Sequence, residues 1–501
     1  LTGIKEVSVD DNFFSIGGDS ILAIRLVSLG RKAGLQFSVR DVFQSLTPER
    51  LATICLWVAD VPRQTWEENG AVTALPIYRE FLRLSGSLRR FNQATRLVAP
   101  EGMTVARAQR LLNHLVSHHA ALRMRTVGTG MQTEFWIDEK SSTPEIHIDV
   151  LDLRACSASD RETLVRDSML HLSDSLEPSR SGGMVSALWI DHADETAELL
   201  LVLHHFVVDG VSWRILLEDL ASLTVNEDHA LPERTMSLKA WSLYLLSQGE
   251  NGARRHELPV WRSQLTSVTD LPQDHELEPG CNTNIQAAVL HGNLSPAATR
   301  LLLRAPSVYY GQINDVLVAA LGLALRRWAQ ECYQIDLSAP LVSLEGHGRE
   351  GDEDLSRTVG WFTSVYPVKL PLAGLSPNDP DSYGHAIKRV KEQLRQMPDK
   401  GLGYGILRHL DPSSGLNDVA DVSPQITFNY LGRFERADVT DKRKWRSSGQ
   451  AITGSGDDPD RERMSLIDIN TIVDVEDSLQ ISLAYCESVY EPDSMHSLLN
   501  I

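Results

Sequence analysis

Apolar positions divide the chain into a short helical head and a long mixed α/β body. In the head, apolar runs at 21–29 and 51–58 read as helices. Pro48 stands at the first position of one of them, behind Thr47 as its cap. No strand signal stands out there, which predicts a small all-α bundle of three or four helices over residues 1–60. Residues 61–72 (VPRQTWEENGAV) are polar, carry Pro and Gly, and read as a linker. From residue 73 the pattern alternates. Helices are expected at 105–116, 215–220, 238–246, 296–303 and 313–328, and strands at 198–203, 337–344, 425–429 and 479–485. A Pro- and acid-rich stretch at 271–280 suggests a division into two α/β lobes, 73–280 and 281–501.

Composition narrows the function classes. The chain has 501 residues, with 48 Lys plus Arg against 67 Asp plus Glu, a net charge of −19. The head holds seven acidic and six basic residues, so nearly all of that charge lies downstream. An acidic surface disfavours nucleic acid and anionic membrane as partners. The five cysteines, Cys55, Cys156, Cys281, Cys332 and Cys486, are scattered and form no CxxC. A disulfide framework or structural zinc site is therefore not expected, and a reducing, cytoplasmic setting fits. The apolar runs are too short to span a bilayer. The absence of an initiator Met reads as a segment of a longer polypeptide.

Two clusters carry candidate chemistry. The first is GGDS at 17–20, where Gly17 and Gly18 permit a tight turn and Asp19 and Ser20 open an apolar helix. Alone, that is an ordinary helix cap. The second is HHFVVDG at 204–210, on a loop between a buried strand and a helix starting near Ser212. Histidine titrates near neutrality and suits proton transfer. His204, His205 and Asp209 lack the i, i+4 spacing of a zinc site, and no third ligand is evident, so no metal is expected.

The full string FFSIGGDSILAIRLV (13–27) resembles the attachment motif of peptidyl carrier domains in nonribosomal peptide synthetases. HHFVVDG resembles the HHxxxDG signature of the condensation-domain superfamily. VDGVSWRIL, LEGHGRE (344–350), RTVGWFTSVYPV (357–368), KGLGYGILR (400–408) and FNYLGRF (428–434) look like its epimerisation subgroup. The chain departs from the pattern at His118-His119-Ala120-Ala121 and at Pro76-Ile77-Tyr78, near the first lobe's entrance.

The resemblance implies a four-helix carrier followed by a two-lobed, chloramphenicol-acetyltransferase-like domain. It implies 4′-phosphopantetheine on Ser20, attached by a phosphopantetheinyl transferase and holding an aminoacyl or peptidyl thioester. It also implies His205 facing the reaction tunnel, Glu345 as the second catalytic residue, and adenylation and condensation domains as upstream and downstream neighbours. His204 belongs to the motif, Asp209 is expected to shape the loop, and Gly210 to supply its turn. Charged His205, Asn429 or Tyr430 would serve as donor to the carbonyl oxygen of the reacting thioester. The resulting expectation is inversion of an α-carbon. The alternatives are an amide-forming condensation or cyclisation domain, and a catalytically degenerate docking domain.

Overall fold

The computed structural model describes residues 6–14, 16–18, 20–57, 65–192, 196–351, 353–417, 422–433, 443–448 and 456–501. The expected capping at Asp19 and part of the expected linker fall outside the described residues.

In the head, helices span Ser20–Lys32, Val39–Ser45 and Pro48–Ile54. Local chemistry explains their starts. The Ser38 hydroxyl accepts from Asp41 N while the Asp41 carboxylate accepts from Ser38 N, and Thr47 accepts from Arg50 N ahead of Pro48. The helix expected over 51–58 ends early: Leu56–Trp57 instead pairs with Leu35–Gln36 in a two-residue antiparallel ladder. The apolar run at 54–57 read as helix because periodicity cannot separate short strands from helix ends. Among the described residues the head thus has three helices and a ladder. Phe13, Leu22, Ala23, Val27 and Val42 form its core.

The body contains two larger sheets. One runs Arg446–Ser447, Asn92–Val98, Ala197–His204, Val185–Asp191, Asp149–Asp152. Its central strand, AELLLVLH, is buried at seven of eight positions, as a strand covered on both faces must be. The other sheet runs Ala287–Leu294, Leu479–Cys486, Ile467–Val473, Ile426–Arg433, Leu341–Gly346, Ser364–Lys369. A three-stranded sheet joins Gly70–Val72, Glu134–Ile137 and Met124–Val127. The last part of the stretch expected as linker is therefore strand, its Ala71 opposite Trp136.

The two lobes exchange segments, so the division expected at residue 280 is not where the cores part. Trp261, Leu265 and Leu271 belong to the second core. Leu355, Trp361, Phe362, Leu402 and Ile406, far downstream, complete the first. Arg446–Ser447 crosses over to pair with Val98 and Leu97. Both lobes are thereby tied together at the seam where the motif strings meet.

No single helix among the described residues is long and apolar enough to cross a membrane. Helices Pro296–Val308 and Ile313–Tyr333 pass that test only as a pair bent by 109°. The second is core, with Leu317, Val318, Leu325 and Trp328 buried.

Candidate functional site

The first candidate position is the start of the Ser20–Lys32 helix. Gly17 takes a left-handed φ of 93°, and Gly18 N donates to the Phe13 carbonyl at 2.8 Å. A Cβ on Gly18 would lie 2.5 Å from the Phe13 ring, so only glycine fits there. The turn places Ser20 as the first residue of a thirteen-residue helix with no acidic residue in its first turn. Free N–H groups and the positive end of the helix dipole suit a phosphoester at that position.

The second position begins where the Ala197–His204 strand stops. His204 is fully buried. Its Nε2 donates to the Leu88 carbonyl at 2.7 Å, and its Nδ1 accepts from Phe206 N at 3.2 Å. Both nitrogens are committed, and burial lowers its pKa to about 3. His204 is a fixed, neutral structural imidazole.

His205 follows on a single 3₁₀ turn. Its ring stacks on Phe91, with centroids 4.7 Å apart and planes 9° from parallel, and lies 4.7 Å from Trp361. Trp213 Nε1 donates to Gln93 Oε1 at 2.9 Å, which orients that amide. Gln93 Nε2, 2.7 Å from His205 Nε2, is then the donor, and the lone pair of His205 Nε2 accepts that bond. Burial between aromatics lowers the pKa of His205 to about 4. The charged imidazolium expected as a donor is therefore not the resting form. His205 is a neutral imidazole at rest.

Asp209 caps the helix Gly210–Val225, accepting from Ser212 N at 2.8 Å. It also receives Arg349 through both guanidinium arms, at 2.6 and 3.1 Å, and Phe362 N at 3.2 Å. Arg349 reaches on to Ser212 Oγ and the Thr358 carbonyl, and packs 4.3 Å over the Phe362 ring. This buried ion pair joins the His loop to LEGHGRE. The sequence strings contained Arg349 but gave it no role. Gly210 corrects the expectation of a turn glycine. Its φ is not left-handed, and a Cβ would meet open space, because Asp209, as cap, already makes the change of direction.

Glu345 is the fifth residue of the Leu341–Gly346 strand. Its oxygen accepts from Asn429 Nδ2 at 3.0 Å. Burial, with the negative charge of Asp468 behind it, raises its pKa to about 7. Alternation along the strand puts Ser343 and Glu345 on the face lining a cavity of about 90 Å³, with Leu344 in the second core. The same alternation corrects Tyr430. Thr427 lines this cavity and Asn429 shares its face, whereas Tyr430 follows Phe428 toward the core.

His205 and Glu345 make no direct hydrogen bond or ion pair among the described residues. Glu345 lines the cavity and His205 is not among its walls. The adjacent Trp361 and Phe362 reach both neighbourhoods: Trp361 touches His205, and Phe362 lines the cavity. The far wall carries Glu80, whose carboxylate is held down at about 2, with His409 at 2.9 Å and Arg408 at 3.5 Å. Of this wall the sequence strings held only Arg408, at the end of KGLGYGILR, and gave it no role.

Among the described residues, one group has metal-ligand geometry: His118, His119 and Asp219. Asp219 is already bound by His119 Nε2 at 3.0 Å and by Arg357 at 2.5 Å. A guanidinium there repels a cation and completes a buried hydrogen-bond network instead.

Comparison with known proteins identifies the families and the fold. Residues 80–500 match the family described as Condensation domain, and residues 1–55 match Phosphopantetheine attachment site. The chain is 34% identical over 517 residues to a chondramide synthase of Chondromyces crocatus, covering 99% of this chain and 12% of that protein. It is 31% identical to tyrocidine synthase 1 of Brevibacillus parabrevis, covering 99% and 46%. The chain thus spans a minor part of these relatives. Its fold superimposes on the crystal structure of the epimerization domain from the third module of tyrocidine synthetase B. That match has a TM-score of 0.75 and 29% identity, over 87% of this chain and 96% of that one. A condensation domain from monacolin K polyketide synthase shares the fold at TM-score 0.66 and 14% identity, over 87% of this chain and 96% of that one.

Proposed function

The chain belongs to the condensation-domain family of nonribosomal peptide synthetases, with a phosphopantetheine attachment site ahead of that domain, and on this premise we propose that it inverts the α-carbon of an aminoacyl or peptidyl thioester. When attached at Ser20, the prosthetic group holds the acyl chain as a thioester, which acidifies the α-proton. The rest of the work falls to side chains of the body.

The observation that carries the reading is the pair of opposed shifts at two motif residues. His205 is neutral, its Nε2 accepting from Gln93 and able to act as a base once that amide yields it, and Glu345 titrates near 7. A base and an acid separated in this way can exchange one proton without either starting charged. His205 takes the α-proton from one face, and protonated Glu345 returns one to the other. The resulting imidazolium and carboxylate then serve the reverse direction. Asn429, which donates to Glu345, holds the carboxyl oriented on the cavity face and can share a proton with the carbonyl oxygen. Asp209 and Arg349 keep the two loops in register.

The reading extends to organisation. A carrier occupies residues 1–60, and the catalytic body runs from the Gly70–Val72 strand to 501. Adenylation and condensation domains of the same assembly line act upstream and downstream. The test is chiral analysis of the released acyl group after loading holo-Ser20 with L-aminoacyl groups. D-product that disappears in His205→Ala and Glu345→Gln supports inversion. Amide product from a supplied amine acceptor, with no change of configuration, would move the assignment to condensation.

A further inference from the structure

Lys400 stands in the string KGLGYGILR, and the catalytic reading leaves it without a role. It occupies a strained turn. Asp399 and Lys400 hold left-handed φ values of 40° and 44°, and Gly401 follows at 86°. Non-glycine residues in that region cost energy, so the surroundings must hold the turn in place. Arg254 does part of this by donating to Asp399 at 2.6 Å.

The Lys400 side chain touches both parts of the chain. Its ammonium sits 4.1 Å from the ring centroid of Phe43, on the second helix of the head. It also lies 3.9 Å from Glu350 Oε1. Glu350 has no side-chain hydrogen-bond partner among the described residues, and His347 Nδ1 approaches it at 3.3 Å without hydrogen-bond geometry. The Lys400 ammonium thus faces a carboxylate of the LEGHGRE string on one side and an aromatic ring of the carrier on the other.

The Lys400 main chain reaches the Glu345 strand. The Lys400 carbonyl accepts from Ser364 Oγ at 2.7 Å, and Ser364 pairs with Gly346, the residue after Glu345. A Cβ on Gly346 would lie 2.8 Å from that carbonyl and 2.6 Å from Ser364 Oγ, so the turn and the strand end are in tight contact. Elsewhere the head meets the body through Arg25 with Glu218 at 3.3 Å and through Arg31 with Asp354. Ile24 of the first helix is buried with the first core.

We propose that Lys400 is a positioning residue that reads carrier docking: Phe43, by seating on its ammonium, fixes the 398–401 turn and with it the end of the strand that carries Glu345. This inference rests on the inversion reading above. It predicts that Lys400 matters while Phe43 seats on its ammonium and not once that contact is removed.

The test uses the full chain. In one arm, holo-Ser20 carries the L-aminoacyl group that wild type inverts fastest. In the other, the Ser20→Ala, Phe43→Leu chain, in which the Lys400 contact is already gone, receives the same group as its N-acetylcysteamine thioester. Lys400→Met slows α-proton exchange of the carrier-borne substrate roughly three- to tenfold, in proportion to a lost cation–π contact. The free thioester keeps its kcat/KM. Lys400→Arg restores the first rate, Phe43→Leu reproduces the loss, and the double variant is no slower than the worse single. Equal losses in both arms, or none in either, overturn the proposal. Amide hydrogen exchange in the unloaded chain is a readout independent of turnover. Lys400→Met raises exchange at both 39–45 and 346–350, and unchanged exchange at both overturns the link. A wild type that inverts neither thioester yet shows that protection refutes the epimerase reading and leaves the Lys400 link standing.

Discussion

Glu345 and His205 are two ordinary side chains whose surroundings have moved them in opposite directions. Glu345 is held near 7 because burial disfavours its charge and Asp468 repels it. His205 is held near 4 because its ring is enclosed by Phe91 and Trp361. In the L-to-D direction, with His205 as base and Glu345 as acid, the rate rises as pH climbs through about 4 and falls as pH climbs through about 7. In Glu345→Asp, both limbs persist with a lower plateau. A wild-type rate flat across pH 6–8 would contradict the acid role. Stability carries the same sign in a second observable. The folded pKa of Glu345 lies above its ordinary value of 4.5, so the folded state prefers the protonated form. Its contribution is full below about 4.5 and is lost as pH rises through about 7. Glu345→Gln, neutral throughout, should therefore gain on wild type at pH 8 relative to pH 4.5, by on the order of 1–3 kcal/mol. Chemical denaturation at the two pH values measures this, and an equal difference at both would contradict the shift. Asn429→Ala removes the donor to Glu345 and should cost roughly tenfold in turnover. Tyr430→Phe, on the core face, should leave turnover within about twofold, as expected for a residue away from the cavity.

At the scale of elements, the decisive connection is the one between Asp209 and Arg349. It is buried on both sides and is supported by Ser212 Oγ, the Thr358 carbonyl and the Phe362 ring. Removing one member leaves a buried charge alone, which costs about 3–5 kcal/mol. Arg349→Met is expected to lower the melting temperature and to slow turnover at least tenfold. Asp209→Asn keeps the helix cap and loses the charge, and should do less to the helix than to turnover. Circular dichroism melts beside exchange rates separate the two. The elements were legible to different degrees. The strand ending in His204, the helix at Val105–His118 and the Thr47–Pro48 helix start announce themselves through apolar runs and capping chemistry. Leu56–Trp57 and Gly70–Val72 do not, because two- and three-residue strands are decided by their partners. Arg349 was visible as a letter, but its partner lies 140 positions away and only folding joins them. Gly210 looked like a turn glycine because the sequence does not show that Asp209 already caps the helix.

At the scale of the whole molecule, the candidate site lies at the seam between the lobes. The lobes share it: Trp361, Phe362, Leu402 and Ile406 pack into the first core, while Glu345 rides on a strand of the second sheet. A cut at residue 280, which composition suggested, would strip both lobes of core residues, so separately expressed 73–280 and 281–501 should fail to give monodisperse folded protein. Sedimentation and far-UV circular dichroism would show this. The carrier is the more independent part, with its own core around Phe13, Ala23 and Val27. Its family and the attachment of phosphopantetheine were readable from one string, because a glycine turn opening onto a helix that begins with serine is local. The surroundings of His205 and Glu345 were not readable, since Trp361 touches His205 while Phe362 lines the Glu345 cavity only once the chain is folded. The central claim is that these two groups move the α-proton of a carrier-borne thioester. The most direct measurement is mass-spectrometric uptake of solvent deuterium at the α-carbon of an L-aminoacyl group on holo-Ser20. The account predicts deuterium incorporation in wild type that falls at least a hundredfold in both His205→Ala and Glu345→Gln, the scale of a lost general acid or base. Incorporation at the wild-type rate in both variants would contradict it.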